Sequence, residues 1–212
     1  MAVTQVQRSF RGVSADDRRA ERRTRLVDAC IDVIGADGIA NTTMTAVCKR
    51  AGLTERYFYE SFANRDELLV AVFDSMVRDV GDRIVAALAA APNDLAGRAR
   101  IVSSVIVNAL ADDPRIARAY HEAVGADVLR QRRREAVRIF AGFLARMVAD
   151  ARQLSTSDDA KPLQASALMI VGGMIEVVDA WLDGYLHATK DELIDNCALM
   201  CVAAADQFVG RG

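Results

Sequence analysis

The chain has 212 residues, 52% hydrophobic and 26% charged, with only 3 Pro and 13 Gly. That composition fits a compact domain with a sizeable core and excludes disordered, collagen-like and linker-dominated classes. The net charge of −2 is unevenly spread: residues 1–65 carry +3, residues 66–212 carry −5, and seven Arg fall between Arg8 and Arg25. A basic head on an acidic body suits a small nucleic-acid reader joined to a domain of another kind.

Cys30, Cys48, Cys197 and Cys201 form no C-x-x-C pair, and no His stands near the closest two, so reduced buried thiols are expected and no metal or cofactor is. Charged residues interrupt each apolar run before membrane-span length and no signal-peptide core opens the chain, so a cytoplasmic protein without membrane contact is expected.

Apolar residues recur at three and four throughout, which predicts an all-α fold of about nine helices. Ser14 with Asp17 has capping-box spacing and opens a helix through Leu26 and Cys30 to Gly38. Thr43 caps a second, two-turn helix through Val47, Cys48 and Ala51, ended by Gly52. Thr54 caps a short third helix, with Leu53 and Phe58 at hydrophobic-staple spacing and Phe58 and Phe62 facing inward. Asn64 and Glu67 launch a long fourth helix ending near Pro92. Further helices are predicted near 95–111, 114–124 (Asp113 cap, Pro114 in the first turn), 126–154, 162–187 and 190–209, the last opened by Thr189 and Glu192, with Ser155 to Ala160 as the one linker-like stretch.

Two short helices separated only by Gly52, Leu53 and Thr54 have the spacing of a helix-turn-helix, which displays Arg56, Tyr57 and Tyr59. Residues 38–68, with Thr43, Ala51-Gly52, Tyr59, Phe62 and Leu68 in register, resemble the DNA-binding segment of the TetR family of bacterial transcription regulators. The resemblance implies a DNA-binding head over 14–65 and a helical ligand-binding and dimerisation body over 66–212. It implies that the third helix enters the major groove of double-stranded DNA. Thr43, Thr54, Tyr59 and Arg65 would hold phosphates, Arg56 and Tyr57 would read bases, and Arg22 and Arg25 would add backbone contacts. The sequence departs from the family pattern at Cys48, Ser61 and Arg65, of which only Ser61 puts a contact in question. Arg8 and Arg11 precede the family's core, on a stretch that is either an arm adding salt-dependent affinity, the favoured expectation, or simply a tail.

In the body, the resemblance implies a homodimer built on the last two helices, with Ile175, Val178, Trp181, Leu182, Tyr185, Leu199 and Val202 as interface candidates, and hence a palindromic operator. It also implies a small-molecule pocket. Phe73, Met76, Ile106, Leu110, Tyr120, Phe140, Phe143, Met147, Met169 and Met174 are the candidate lining, all equally good as core, and they favour an apolar or aromatic effector. Gly172-Gly173 within a helix costs about 1 kcal/mol each, offset by close helix packing or by a ligand approaching the backbone. His121, His187 and the basic run Arg130–Arg134 are expected at the surface. No nucleophile elbow, phosphate-cradling loop or zinc-hydrolase motif supports an enzyme. An effector-released repressor is the expectation. The alternatives are an activator with the same head or an all-helical dimeric interaction module.

Overall fold

The computed structural model describes residues 14–91, 94–154 and 160–207. Among them are nine α-helices: α1 (Ala15–Asp37), α2 (Met44–Ala51), α3 (Glu55–Tyr59), α4 (Arg65–Ala89), α5 (Leu95–Ala111), α6 (Pro114–Gly125), α7 (Arg130–Arg152), α8 (Ala160–Leu182) and α9 (Lys190–Asp206). The fold is all-helical, as the spacing predicts. The N-terminal arm, the turn at Pro92, the stretch 155–159 and the end expected at 209 lie outside the described residues.

Local chemistry sets the helix starts. Ser14 and Thr189 form complete capping boxes with Asp17 and Glu192. The Asn64 side chain accepts from the Glu67 N–H at 2.9 Å, while the Glu67 carboxylate accepts from Ala63 N–H at 2.7 Å, one residue ahead of the cap. Asp94 and Asp113 cap α5 and α6 in the same way. Thr54 differs from expectation: it occupies the N-cap position of α3, but its side chain makes no capping hydrogen bond.

Two later boundaries also differ. Gly125 and the extended Ala126 close α6, and a 3-10 turn at Asp127–Leu129 reverses the chain, so α7 starts at 130 and not 126. Helix α8 stops at Leu182, five residues early, because Gly184 takes a left-handed φ of 81° and the Leu186 N–H folds back onto the Ala180 carbonyl at 2.8 Å. Tyr185 and His187 therefore lie on a loop.

The core of the head gathers Leu26, Cys30, Ile34, Val47, Phe58 and Phe62, all nearly solvent-free, and continues into Leu68, Leu69, Val72 and Phe73 of α4 and Ala119 and Ala123 of α6. Burial of this order, at about 25 cal/mol per Å² of apolar surface, is what holds elements as short as the eight-residue α2 and the five-residue α3, which would not persist alone. Behind it, α5 packs with α7, α8 and α9 in two further clusters, one around Leu144, Met147 and Ala198 and one around Val107, Val178 and Leu193. All four cysteines are free and buried. Burial pushes the Cys30 thiol up to about 12, partly countered by Arg65, and pushes Cys201 up to about 11, which favours the protonated thiol at both.

One helical segment, Lys161–Leu182, is long and apolar enough to cross a membrane, which corrects the expectation that no run reaches that length; Glu176 and Asp179 are tolerated within it. Only 17% of its most apolar window is buried within the chain. Its uncovered face carries Leu168, Met169 and Val177 beside Leu199 and Met200 of α9.

Candidate DNA interface and ligand cavity

The turn between α2 and α3 is built by Gly52, which adopts φ 63° and ψ 37° and closes α2, a geometry that costs glycine little and other residues more. The Arg25 guanidinium then donates to the free carbonyl of Ala51 at 2.6 Å. Leu53 packs on the head core, and Thr45 of α2 donates to Glu55 of α3 at 3.2 Å, so the two helices are fixed against each other.

With Phe58 wholly buried, α3 turns its other side outward. Arg56 is 85% exposed and tethered to Glu60 at 3.2 Å, and Tyr59 is 60% exposed with its ring edge-on to Phe58. Tyr57 is half-buried beneath the Arg22 guanidinium, 4.5 Å from its ring centroid, and Arg22 also pairs with Glu60 at 3.3 Å. Thr43 and Thr54 are exposed, the Thr43 hydroxyl accepting from Ala46 N–H at 3.2 Å. The structure thus places Thr43, Thr54, Arg56 and Tyr59 on accessible surface of one small unit.

Arg65 makes bonds within the head that its place among the phosphate candidates did not foretell. Its Nε donates to the Thr42 carbonyl at 2.6 Å and a terminal nitrogen donates to the Ile39 carbonyl, tying the α1–α2 loop to the start of α4. Arg25 and Arg22 are likewise engaged within the head. The Ser61 hydroxyl is buried without a partner.

The body helices, with Asp28 and Ile31 of α1, line a partly open cavity of about 570 Å³. Nine of the ten sequence candidates line it, from Phe73 and Met76 on α4 through Ile106 and Leu110 on α5, Tyr120 on α6 and Phe140, Phe143 and Met147 on α7 to Met174 on α8. Met169 does not: it is 72% exposed on the opposite side of α8. Two interface candidates also move. Val178 is 1% exposed and Ile175 is half-buried, and both face the cavity, because α8 rotates that stripe toward α5 and α6. Trp181 is half-buried with its indole N–H on the Ala188 carbonyl at 2.9 Å; Leu182 and Val202 are half-buried, while Leu199 (63%) and Tyr185 (85%) are open. An ideal Cβ on Gly172 or Gly173 would meet no atom within 4 Å, so neither helix packing within the chain nor the cavity wall explains that pair.

Sequence reasoning missed Ser103 and Asn108, polar cavity residues on α5. Ser103 shares the stripe of Ala99, Ile106 and Leu110, so a lone hydroxyl within an apolar face was the available signal. Burial pushes the Tyr120 phenol well above its ordinary value, so it lines the cavity as a neutral hydroxyl. Among the described residues no His, Cys, Asp and Glu cluster suits a metal ion.

A short exposed helix behind a glycine turn, carried on an all-helical body with a partly open cavity, has the arrangement of a helix-turn-helix head on a helical body. Residues 26–72 match the family described as "Bacterial regulatory proteins, tetR family". The chain is 29% identical over 163 residues to the HTH-type transcriptional regulator BetI of Rhizobium meliloti (strain 1021), covering 72% of this chain and 75% of that one. It is 26% identical to BetI of Agrobacterium fabrum, over 72% and 74% of the two chains. Among solved structures it superposes on the fatty acid degradation regulator FadR from Bacillus halodurans with a TM-score of 0.72 at 19% identity, covering 85% and 94%. FadR from Bacillus subtilis, in complex with stearoyl-CoA, gives 0.70 at 19% identity, covering 85% and 98%. The family match thus falls on residues 26–72, which hold the helix-turn-helix, and the likeness to the regulators named extends over 72% of the chain.

Proposed function

We propose that this protein is a cytoplasmic, homodimeric repressor that leaves a palindromic operator when a small, mainly apolar effector enters the cavity. The reading divides the chain into a DNA-binding head over 14–65 and a ligand-binding and dimerisation body over 66–212. The observation that carries it is the display of Arg56 and Tyr59 on α3 while Phe58 of the same five-residue helix is locked in the core. A side chain presented on so short and rigid an element suits reading a groove.

In this reading Arg56 and Tyr57 contact bases, and Thr43, Thr54 and Tyr59 hold phosphates. Arg65, Arg22 and Arg25 add charge toward the backbone while holding the head together through their intramolecular bonds. The exposed face of Met169, Gly172, Gly173 and Leu199 supports dimerisation through α8 and α9, since small residues let two backbones approach and so offset their helix cost. Effector coupling has a physical route: α4 runs from the head into the cavity wall, so a ligand that prefers one position of α4 shifts the spacing of the two heads.

Selection of bound sequences from a random DNA pool, with full-length protein at near-physiological salt, tests the reading. Recovery of an inverted repeat is the expected result. Absence of any enrichment overturns it.

A further inference from the structure

Directly after the recognition helix stands an acidic side chain, Glu60, on backbone still in the right-handed helical conformation at φ −69° and ψ −20°. Its Oε1 accepts from the Nε of Arg56, one turn back, at 3.2 Å. Its Oε2 accepts from Nη2 of Arg22, on α1, at 3.3 Å. The same Arg22 guanidinium lies over the Tyr57 ring, 4.5 Å from its centroid. One carboxylate thus links a side chain assigned to base reading with the first helix of the head.

An ion pair between two mobile surface side chains orders little, and a cation four residues ahead of a carboxylate is the weaker order on a helix. Here the acceptor is anchored. The Glu60 and Arg22 side chains are 27% and 21% exposed, against 85% for Arg56. Arg23 holds the same segment from α1: it donates to the Ser61 carbonyl at 3.4 Å and lies over Phe62, 4.2 Å from the ring centroid. Arg56 meets this anchor through Nε alone. Its two terminal nitrogens make no hydrogen bond among the described residues, and they form the fork that can meet O6 and N7 of a guanine.

We propose that Glu60, anchored by Arg22, is a positioning residue for DNA recognition: its carboxylate holds the Arg56 side chain in one arrangement and leaves the terminal nitrogens free for a base. This rests on the assignment of Arg56 as a base reader and adds the residue that gives it its geometry. A long side chain already placed in the free protein loses less freedom when it meets its base. The negative charge of Glu60 repels phosphates of every sequence alike and so cancels in ratios between sequences, whereas its hold on Arg56 acts at one base pair.

The test uses full-length protein on the operator recovered by selection, in competition with its single-base variants. Arg56→Ala identifies the base pair that Arg56 reads. At that pair Glu60→Gln is expected to lose about two- to tenfold of the wild-type preference, the range for ordering one long side chain, with preferences elsewhere largely kept. Arg56→Ala combined with Glu60→Gln should lose no more there than Arg56→Ala alone, since the carboxylate acts only through the guanidinium. Should Glu60→Gln fail to fold because Arg22 is left half-buried without its partner, Arg22→Met combined with Glu60→Gln removes both charges and should show the same loss at the same pair. A preference that is unchanged or greater, losses that add in the double variant, or a fall of equal size at every base pair overturns the proposal while leaving Arg56 a base reader. If no operator is recovered, or Arg56→Ala flattens no base pair, the base-reading assignment fails and this inference with it.

Discussion

Arg118 of α6 donates to the carbonyl of Ala36 in the last turn of α1 at 2.9 Å, and so joins the helix that walls the cavity to the helix that carries the head. The same guanidinium reaches the Gly35 carbonyl at 3.1 Å and pairs with Glu122 at 2.8 Å, while Glu122 accepts from the Ile39 N–H. One side of α6 thus holds the orphan carbonyls of a helix C-terminus, and the other places Ile116 and Tyr120 in the cavity. Beside this grip, Gly35 lies so close to α6 that an ideal Cβ would stand 2.8 Å from the Cβ of Arg115.

That spacing makes Gly35→Ala a probe of the contact between head and body. The two helices must separate to admit one methyl group, with a loss of about 1–3 kcal/mol typical of overpacking. A lowered denaturation midpoint, read by circular dichroism, is the expected outcome. An unchanged midpoint would show that α1 and α6 are not held at this distance.

Acid should loosen the same junction. Hydrogen bonds from Arg50, and then from Arg115, hold the Asp32 carboxyl below its ordinary value against the opposing effect of burial. A carboxylate with a depressed folded value contributes stability above its unfolded value and loses it as pH falls through the folded one. Melting temperature between pH 7 and pH 3 should therefore fall less steeply for Asp32→Asn than for the wild type, the two curves converging at the acid end.

In the head, base reading and positioning separate by residue. Arg56→Ala should relax preference at one operator position by about 1–3 kcal/mol, visible in competition between single-base variants. Tyr59→Phe should weaken binding to all sequences alike. Arg65→Ala should do the same and also lower thermal stability, since the Ile39 and Thr42 carbonyls lose their donor. An intact melting temperature for Arg65→Ala would show that its role is confined to DNA.

For the dimer, Leu199→Arg and Val178→Arg distinguish surface from core. Leu199 is open and Val178 is buried, so the first should yield folded monomers by sedimentation and weak operator binding, and the second should unfold the chain. Folded dimers from Leu199→Arg would move the interface elsewhere.

Much of the fold was legible because its signals are local. Ser14, Asn64, Asp113 and Thr189 stand where helix starts need an acceptor, and Gly52 where the recognition turn needs a left-handed residue. The cavity stripe was legible for the same reason, since Phe73, Ile106, Leu110 and Phe143 recur at helical spacing. Periodicity could not say which side of α8 faces inward, for that helix is apolar around more than one side: Met169 and Val178 exchanged their expected places. It was equally silent on Arg65, whose use depends on carbonyls 23 and 26 residues away.

The sequence by itself determined the helices, their caps and the recognition turn, because each depends on neighbours within a few residues along the chain. Tertiary structure alone decided that Arg118 and Glu122 bind the end of α1, that the Ser103 hydroxyl is buried without a partner, and that the Gly172-Gly173 face stays open. Those outcomes depend on how whole helices rotate and pack against one another, where burial of many side chains at once outweighs the preference of any one.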